Sequence, residues 1–136
     1  MPRILALDVG TKTIGVAVSD PLGMFAQPVT TVARQGVRKD TEVLQALVQE
    51  KGADTLVVGL PLELDGTEER SARLARQIGE ALHQATGLPL HYVDERFTSV
   101  DAERKLIAMN VSRKKRKAVI DQVAAMLILE SHLRGG

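Results

Sequence analysis

No part of this chain constrains its fold more than the stretch from Ile4 to Asp20, ILALDVGTKTIGVAVSD. It begins with an apolar run that is typical of a strand buried on both faces. Gly10 and Gly15 separate this run from a second one that contains β-branched residues, and the pair predicts a hairpin. Asp8 interrupts the first run, and burying a charge without a partner is costly. Asp8 therefore indicates either the open end of a strand or a site where something cationic meets the carboxylate.

The remaining residues predict strands that alternate with helices. A third strand is expected over residues 24–34, where Pro28 favours an edge position. A helix is expected over 37–51 with Gly52 at its C-terminal end, and a buried strand over 55–58. We further expect a polar loop over 62–70, a helix around 74–82, a strand over 90–93, a helix around 102–107, and a last helix from Ser112 to about His132. The order β-β-β-α-β-α-β-α-α predicts a mixed sheet flanked by helices, in a single domain over residues 1–136.

Composition excludes several classes of protein. The chain has no cysteine, which rules out disulfide and thiolate chemistry and fits a reducing compartment. No apolar run approaches the length that spans a membrane, and the N-terminus lacks a signal-peptide pattern. We therefore expect a cytoplasmic protein with no membrane partner.

Charge is distributed unevenly along the chain, although the formal net charge is only +1. Positive charge concentrates in the last third, where five basic residues follow one another: Arg113, Lys114, Lys115, Arg116 and Lys117. Such a run is either a phosphate-binding patch or the solvated start of a helix. Cations at a helix N-terminus oppose the helix dipole, which favours the first interpretation.

Two further carboxylates lie where a lone acid is disfavoured. Asp94 and Glu95 end the fifth strand, and ligands bind at that end of open α/β sheets. Because strand side chains alternate between faces, only one of the two can point into a given site. Asp121 lies in the last helix on the face that carries Ala124, Ala125 and Ile128, which should pack inward. Its structural alternatives are a favourable position in the helix dipole or a pair with Lys117, one turn earlier.

Together, Asp8, Glu95 and Asp121 indicate a shared metal site. Each acid taken singly is more often structural than catalytic. Mg²⁺ and Mn²⁺, however, bind carboxylate oxygens and offset the repulsion between clustered acids. The sequence therefore predicts a site for Mg²⁺ or Mn²⁺ built from these three side chains.

Four motifs carry a family resemblance: DVGTKTIGVAVSD, GLPLELDGTE, VDERFTS and KKRKAVIDQVAAMLILES. In order and spacing they resemble the YqgF family of small bacterial RNase H-like proteins, over essentially the whole chain. The resemblance implies an RNase H-like fold and divalent-metal-dependent hydrolysis of phosphodiester bonds. It also implies that Asp8, Glu95 and Asp121 are the catalytic, metal-binding acids. Two substrates have been proposed for that family, the precursor of 16S rRNA and the Holliday junction.

The function expected from this resemblance is a nuclease that processes the 5′ end of pre-16S rRNA in ribosome biogenesis. Its alternative is a resolvase of branched DNA in recombination and repair, which calls for two active sites related by symmetry and so for a homodimer. Phosphate contacts are expected from Lys12, Arg96 and the basic run at 113–117. With one Tyr, two Phe and no Trp, recognition should rely on the backbone and on shape.

Two other function classes compete with the nuclease. The stretch DVGTKTIGVAVS also resembles the first phosphate motif of actin-like ATP-binding proteins, which share this core fold. Those proteins hold nucleotide between two such domains, and this chain supplies one. A non-catalytic nucleic-acid-binding module is the other alternative, and loss of one of the three acids would mark it.

Overall fold

Five strands form one sheet in the order β3-β2-β1-β4-β5. The structure is a computed structural model, and it describes residues 3–61, 70–94 and 113–135. Its elements are β1 (Ile4–Val9), β2 (Thr13–Ser19), β3 (Ala26–Ala33), α1 (Val37–Lys51), β4 (Thr55–Leu60), α2 (Arg70–Thr86), β5 (Leu90–Asp94) and α3 (Arg113–Leu133). The first three strands are antiparallel, whereas β4 and β5 run parallel to β1. The predicted mixed five-stranded sheet flanked by helices is confirmed.

The hairpin of β1 and β2 has a register that sets Asp8 opposite Gly15. β3 lies at the edge of the sheet, as Pro28 predicted. Val16 pairs with Thr30 and Ala17 with Pro28, so Val29 is an extra residue that makes a bulge in β3. The bulge lets β3 stay paired along all of β2 despite the proline.

Side chains of β1 alternate between two different cores. Leu5, Leu7 and Val9 point to the face that α1 and α2 cover, where they join the larger apolar cluster. Ala6 points to the opposite face and packs with Ile128 of α3. Asp8 has the parity of Ala6, so its side chain lies on the α3 face of the sheet.

Most predicted element boundaries agree with the structure, with a few differences. Gly52 ends α1 at φ 65°, the left-handed conformation that glycine adopts most easily. Arg70 begins α2 and so belongs to a helix rather than to the predicted loop. The rest of that loop, 62–69, and the helix predicted around 102–107 lie outside the described residues. Among the helices that the structure describes, none is both long and apolar enough to cross a membrane.

Candidate active site

Asp8 occupies the last-but-one position of β1, and Gly15 is its partner on β2. Residues directly opposite each other on antiparallel strands project to the same face of the sheet. Gly15 has only a hydrogen atom where another residue would have a Cβ, and this position lies on the same face of the sheet as the carboxylate of Asp8. Asp8 itself is half-buried.

Asp121 lies directly over Gly15. A Cβ atom built on Gly15 would lie 2.0 Å from the backbone carbonyl oxygen of Asp121 and 2.9 Å from its Cβ. The backbone of α3 thus crosses β2 at the residue next to Asp8, which only glycine permits. The structure therefore places Asp8 and Asp121, from opposite ends of the chain, on the same face of the sheet and next to the same residue, Gly15.

The helix face predicted for Asp121 is confirmed by the burial of its neighbours. Ala124, Ala125 and Ile128 are all buried, whereas Asp121 is half-buried. The small side chains of Ala124 and Ala125 let this helix face lie close to the sheet. The contact at Gly15 adds a second cause, on the sheet side, which the sequence pattern did not reveal.

Thr13 is a site residue that sequence reasoning missed. Its Oγ1 donates a hydrogen bond to Oδ2 of Asp121 at 2.5 Å. Thr13 has the same parity as Gly15 along β2, so strand alternation puts both on one face, but only the crossing of α3 shows that Thr13 meets Asp121. Gln122 makes a neighbouring contact, because its Nε2 donates to Oγ1 of Thr31 at 3.1 Å. These two contacts join α3 to β2 and to β3.

Lys12 lies in the turn between β1 and β2, and its side chain is exposed. Backbone bonds hold the turn itself: Gly10 N donates to Thr13 O at 2.8 Å, and Arg34 N donates to Lys12 O at 2.9 Å. Lys12 is thus an exposed cation on a turn whose backbone is hydrogen-bonded, four residues after Asp8.

Arg34 and Asp40 form a buried ion pair behind this turn. Arg34 Nε lies 2.7 Å from Oδ2 of Asp40, whose side chain is 1% exposed. The other oxygen of Asp40 accepts a bond from Gln35 N at 2.8 Å, and Arg34 Nη1 donates to Gly10 O at 2.8 Å. The sequence gives little indication of this ion pair, because acidic residues are common in the first turn of a helix and Asp40 does not stand out.

Asp94 is turned away from Asp8. It pairs with Leu60, which belongs to the apolar cluster under α1 and α2, and it shares the parity of Tyr92. Alternation along β5 therefore directs Asp94 to the face opposite α3. Glu95 and Arg96 lie outside the described residues, as do the side chains of the basic run, whose backbone forms the first turns of α3.

The donor atoms on the α3 face suit a hard divalent cation. Asp8 and Asp121 supply carboxylate oxygens, the ligands that Mg²⁺ and Mn²⁺ prefer. Within residues 3–61, 70–94 and 113–135, no group of three or more His, Cys, Asp or Glu side chains converges. A third carboxylate ligand would therefore have to come from the part of the chain outside these ranges.

A cavity of about 530 Å³ lies along the exposed side of α2, on the other face of the sheet. It is lined by Arg70, Arg73, Leu74, Arg76, Gln77 and Glu80. With one acid among three arginines, this surface has the wrong chemistry for a divalent cation, so the α3 face remains the candidate site.

Comparison with known proteins assigns the family. The family model described as "RuvX: Holliday junction resolvase" matches residues 2–135. The chain belongs to the RuvX family. This confirms the resemblance to YqgF proteins, which is another name for the same family, and with it the nuclease class. The match over nearly the whole chain favours a nuclease over the ATP-binding and non-catalytic alternatives.

One relative with high identity comes from Moorella thermoacetica and bears the name "Putative pre-16S rRNA nuclease". It is 48% identical over 131 residues, which cover 96% of this chain and 94% of the relative. This member of the RuvX family therefore matches that relative from end to end.

Two solved structures share the fold at much lower identity. One is Thermus thermophilus RuvC in complex with a Holliday junction, with a TM-score of 0.61 and 13% identity over 99% of this chain and 95% of that chain. The other is the fowlpox virus resolvase with Holliday junction DNA, with a TM-score of 0.60 and 10% identity over 98% and 97%. At these identities the likeness establishes the RNase H-like fold alone.

Proposed function

We propose that this RuvX-family protein is a divalent-metal-dependent endonuclease whose metal ligands are Asp8, Glu95 and Asp121. One observation carries the proposal: α3 crosses β2 at Gly15, so that Asp8 and Asp121 share one face at one end of the sheet. Two half-buried carboxylates on one face at one end of the sheet would repel each other. A bound cation would relieve that repulsion.

Each of the two described acids has a distinct support. Asp8 is fixed by the ladder between β1 and β2, and Asp121 accepts the hydroxyl hydrogen bond from Thr13. When bound there, Mg²⁺ or Mn²⁺ supplies Lewis-acid chemistry for phosphodiester hydrolysis, activating a water and stabilising the leaving oxygen. The acids then serve as ligands, and none of them needs to act as a general base.

Glu95 is our third ligand, in preference to Asp94. The pairing of Asp94 with Leu60 directs its side chain to the α1 and α2 face, away from Asp8. The neighbouring residue in a strand has the opposite parity. Because Asp94 is directed to the other face, Glu95 is the member of this pair that we assign as the ligand.

The nucleic-acid backbone would be held by cations around the acids. Lys12 is exposed beside the site, and we assign further phosphate contacts to Arg96 and to the basic run from Arg113 to Lys117. α3 carries both that run and Asp121, and Lys117 precedes Asp121 by about one helical turn. A phosphate chain bound by the run would pass close to the metal ligands.

Our preferred substrate is pre-16S rRNA, cleaved during maturation of its 5′ end. The support is the name carried by end-to-end relatives such as the Moorella protein, at 48% identity. Resolution of a Holliday junction is the second candidate, favoured by the description of the family. That reaction would call for a homodimer, since two symmetric cuts need two sites. We further propose that the chain is a single domain that works in the cytoplasm.

The test offers purified protein a four-way DNA junction and a pre-16S rRNA fragment side by side, with Mn²⁺, with Ca²⁺ and with EDTA. We expect cleavage of the rRNA fragment with Mn²⁺, little cleavage with Ca²⁺, whose looser coordination positions water poorly, and none with EDTA. Cleavage of the junction alone would establish the resolvase instead. Full activity in EDTA would refute the metal-dependent mechanism.

A further inference from the structure

We propose that the buried Arg34–Asp40 ion pair is a positioning unit for the active site. It holds the turn that follows Asp8, and so fixes the positions of Asp8 and Asp121 relative to each other. The inference rests on the proposed metal-dependent function and assigns to it two residues that contact neither substrate nor metal.

Arg34 binds the turn at two backbone carbonyl groups. Its Nη1 donates to Gly10 O at 2.8 Å, and its backbone N donates to Lys12 O at 2.9 Å. Gly10 follows Asp8 by two residues, so a shift at Gly10 is passed directly to the end of β1. Arg34 therefore holds the backbone at the start of the turn, shortly after Asp8.

The far side of the turn leads to Asp121. Gly10 N donates to Thr13 O at 2.8 Å, and Thr13 Oγ1 donates to Asp121 Oδ2. The turn therefore has Asp8 at one end and the hydrogen-bond partner of Asp121 at the other. An element that fixes the turn fixes both acids relative to each other.

Asp40 anchors Arg34 to the opposite face of the sheet. It lies in the first turn of α1, whose Leu44 and Val48 are part of the larger apolar cluster. Both of its oxygens are used, one by Arg34 Nε and one by Gln35 N. The ion pair thus connects the site to the larger of the two apolar cores.

Stability alone does not explain such a pair. Removing two charges from water is costly, and well-packed apolar residues often do equally well in their place. The guanidinium is used in two directions at once, toward Asp40 and toward Gly10 O, and this geometry is specific to arginine. A side chain that binds Asp40 and Gly10 O at the same time can hold the turn in one position relative to α1.

The test compares Arg34→Lys with Arg3→Lys. Lysine at 34 retains a cation opposite Asp40 but cannot reach Asp40 and Gly10 O together as the planar guanidinium does. Arg3 is the matched control, because its Nε donates to Ser19 O at 3.1 Å and its Nη1 to Lys51 O at 3.0 Å, at the opposite end of β1. Asp40→Asn is a second variant that keeps the shape of the side chain and removes its charge.

Two quantities are measured on each folded variant: the Kd for Mn²⁺ by titration calorimetry without nucleic acid, and kcat and KM on whichever substrate the wild type cleaves. We expect Arg34→Lys to raise the Kd for Mn²⁺ and to lower kcat, each by about 10–100-fold, which is typical when a residue that supports a metal ligand is removed. KM should change little. Asp40→Asn should shift both quantities in the same direction, and Arg3→Lys should leave both near their wild-type values.

Equal effects of Arg34→Lys and Arg3→Lys would overturn the positioning role while leaving the metal-dependent function intact. A wild-type protein that neither binds Mn²⁺ nor cleaves would overturn the proposed function, and the positioning role with it. Measuring the wild type first keeps these two failures apart.

Discussion

The two faces of the sheet differ sharply in what they are made of. Large aliphatic side chains fill the face under α1 and α2, where Leu5, Leu7, Ile14, Leu44 and others are fully buried. Among the described residues, the face under α3 has a smaller apolar cluster, around Ala6 and Val57. Beyond that cluster, toward the end of β1, the contacts become polar and the backbones come very close.

This difference shows how one strand serves two purposes. Successive side chains of β1 point alternately to the apolar core under α1 and α2 and to the α3 face. Leu7 and Val9, on either side of Asp8, are buried in that core and so hold the strand in place at Asp8. A carboxylate in the middle of the larger core would be costly to bury. On the α3 face Asp8 lies opposite Gly15, over which Asp121 accepts its hydrogen bond from Thr13.

The largest effect should come from the acids of the α3 face. Asp8→Asn, Asp121→Asn and Glu95→Gln should each lower cleavage by on the order of 10²-fold or more, because each removes a metal ligand. Substrate affinity, measured by fluorescence anisotropy in Ca²⁺, should be nearly unchanged. Combining two of these changes should add little, since one substitution already disables the site.

Asp94→Asn is the matched control on the other face, and it should cleave at close to the wild-type rate. Should Asp94→Asn be inactive and Glu95→Gln active, the assignment of the third ligand would have to be reversed.

The next effect should come from two glycines that lie at close contacts on opposite faces. Gly15→Ala forces a Cβ to within 2.0 Å of the carbonyl oxygen of Asp121, a backbone atom that no side-chain rotation can move. We expect a decrease of about 1–3 kcal/mol or more in the free energy of unfolding, together with loss of cleavage, because α3 must shift.

Gly79→Ala supplies the comparison for Gly15. Its Cβ would lie 2.9 Å from Tyr92 Oη, at the end of a side chain that can move, and alanine is favoured over glycine within a helix by about 1 kcal/mol. Urea unfolding of both variants should show a much smaller decrease for Gly79→Ala. Equal decreases would mean that α3 can move away from β2 as readily as Tyr92 can turn.

A smaller effect is expected from the cations. Lys114→Ala with Lys115→Ala should weaken binding of all sequences alike. The plot of log K against log salt should become flatter by about 0.9 for each duplex phosphate that the variant no longer neutralises. The double variant Arg70→Ala with Arg73→Ala removes the same charge from exposed positions of α2, on the other face. Its salt slope should stay near the wild-type value.

An unchanged slope for the lysine variant, in protein that is folded and still binds Mn²⁺, would show that the basic run is only a solvated helix start. A change of slope in the arginine variant would show that nucleic acid also contacts the α2 face.

The smallest effect concerns His132 of α3, whose ring centroid lies 5.2 Å from that of His91 on β5. Burial lowers the pKa of His132, and the charge of His91 lowers it further. The unfolded chain then binds a proton more readily than the folded one, so stability should decrease as the pH falls through about 6.5. Because His132 is only half-buried, we expect less than about 1 kcal/mol.

His132→Gln should flatten this pH dependence when the free energy of unfolding is measured in urea at pH 7.5 and pH 5.5. His91→Gln should flatten it less, since it removes only the second cause of the lowered pKa. A slope that is unchanged by His132→Gln would assign the acid sensitivity to other groups.

Local pattern was enough to predict the order of the described elements, the edge position of β3 and the C-terminal end of α1 at Gly52. These features depend on neighbours in sequence: apolar periodicity, proline chemistry and the conformational freedom of glycine. The same kind of reasoning singled out Asp8 and Asp121, since each is a charge inside an apolar pattern. The face of Asp121 followed from helical periodicity alone.

Tertiary structure decided which of these residues meet. The contact of Gly15 with Asp121, the hydrogen bond from Thr13 and the pairing of Asp94 with Leu60 all depend on strand register and on where α3 crosses the sheet. The Arg34–Asp40 pair depends on how the start of α1 returns to the first hairpin. Register and crossing points are set by the packing of distant side chains, and a periodicity of two or 3.6 residues contains no information about them.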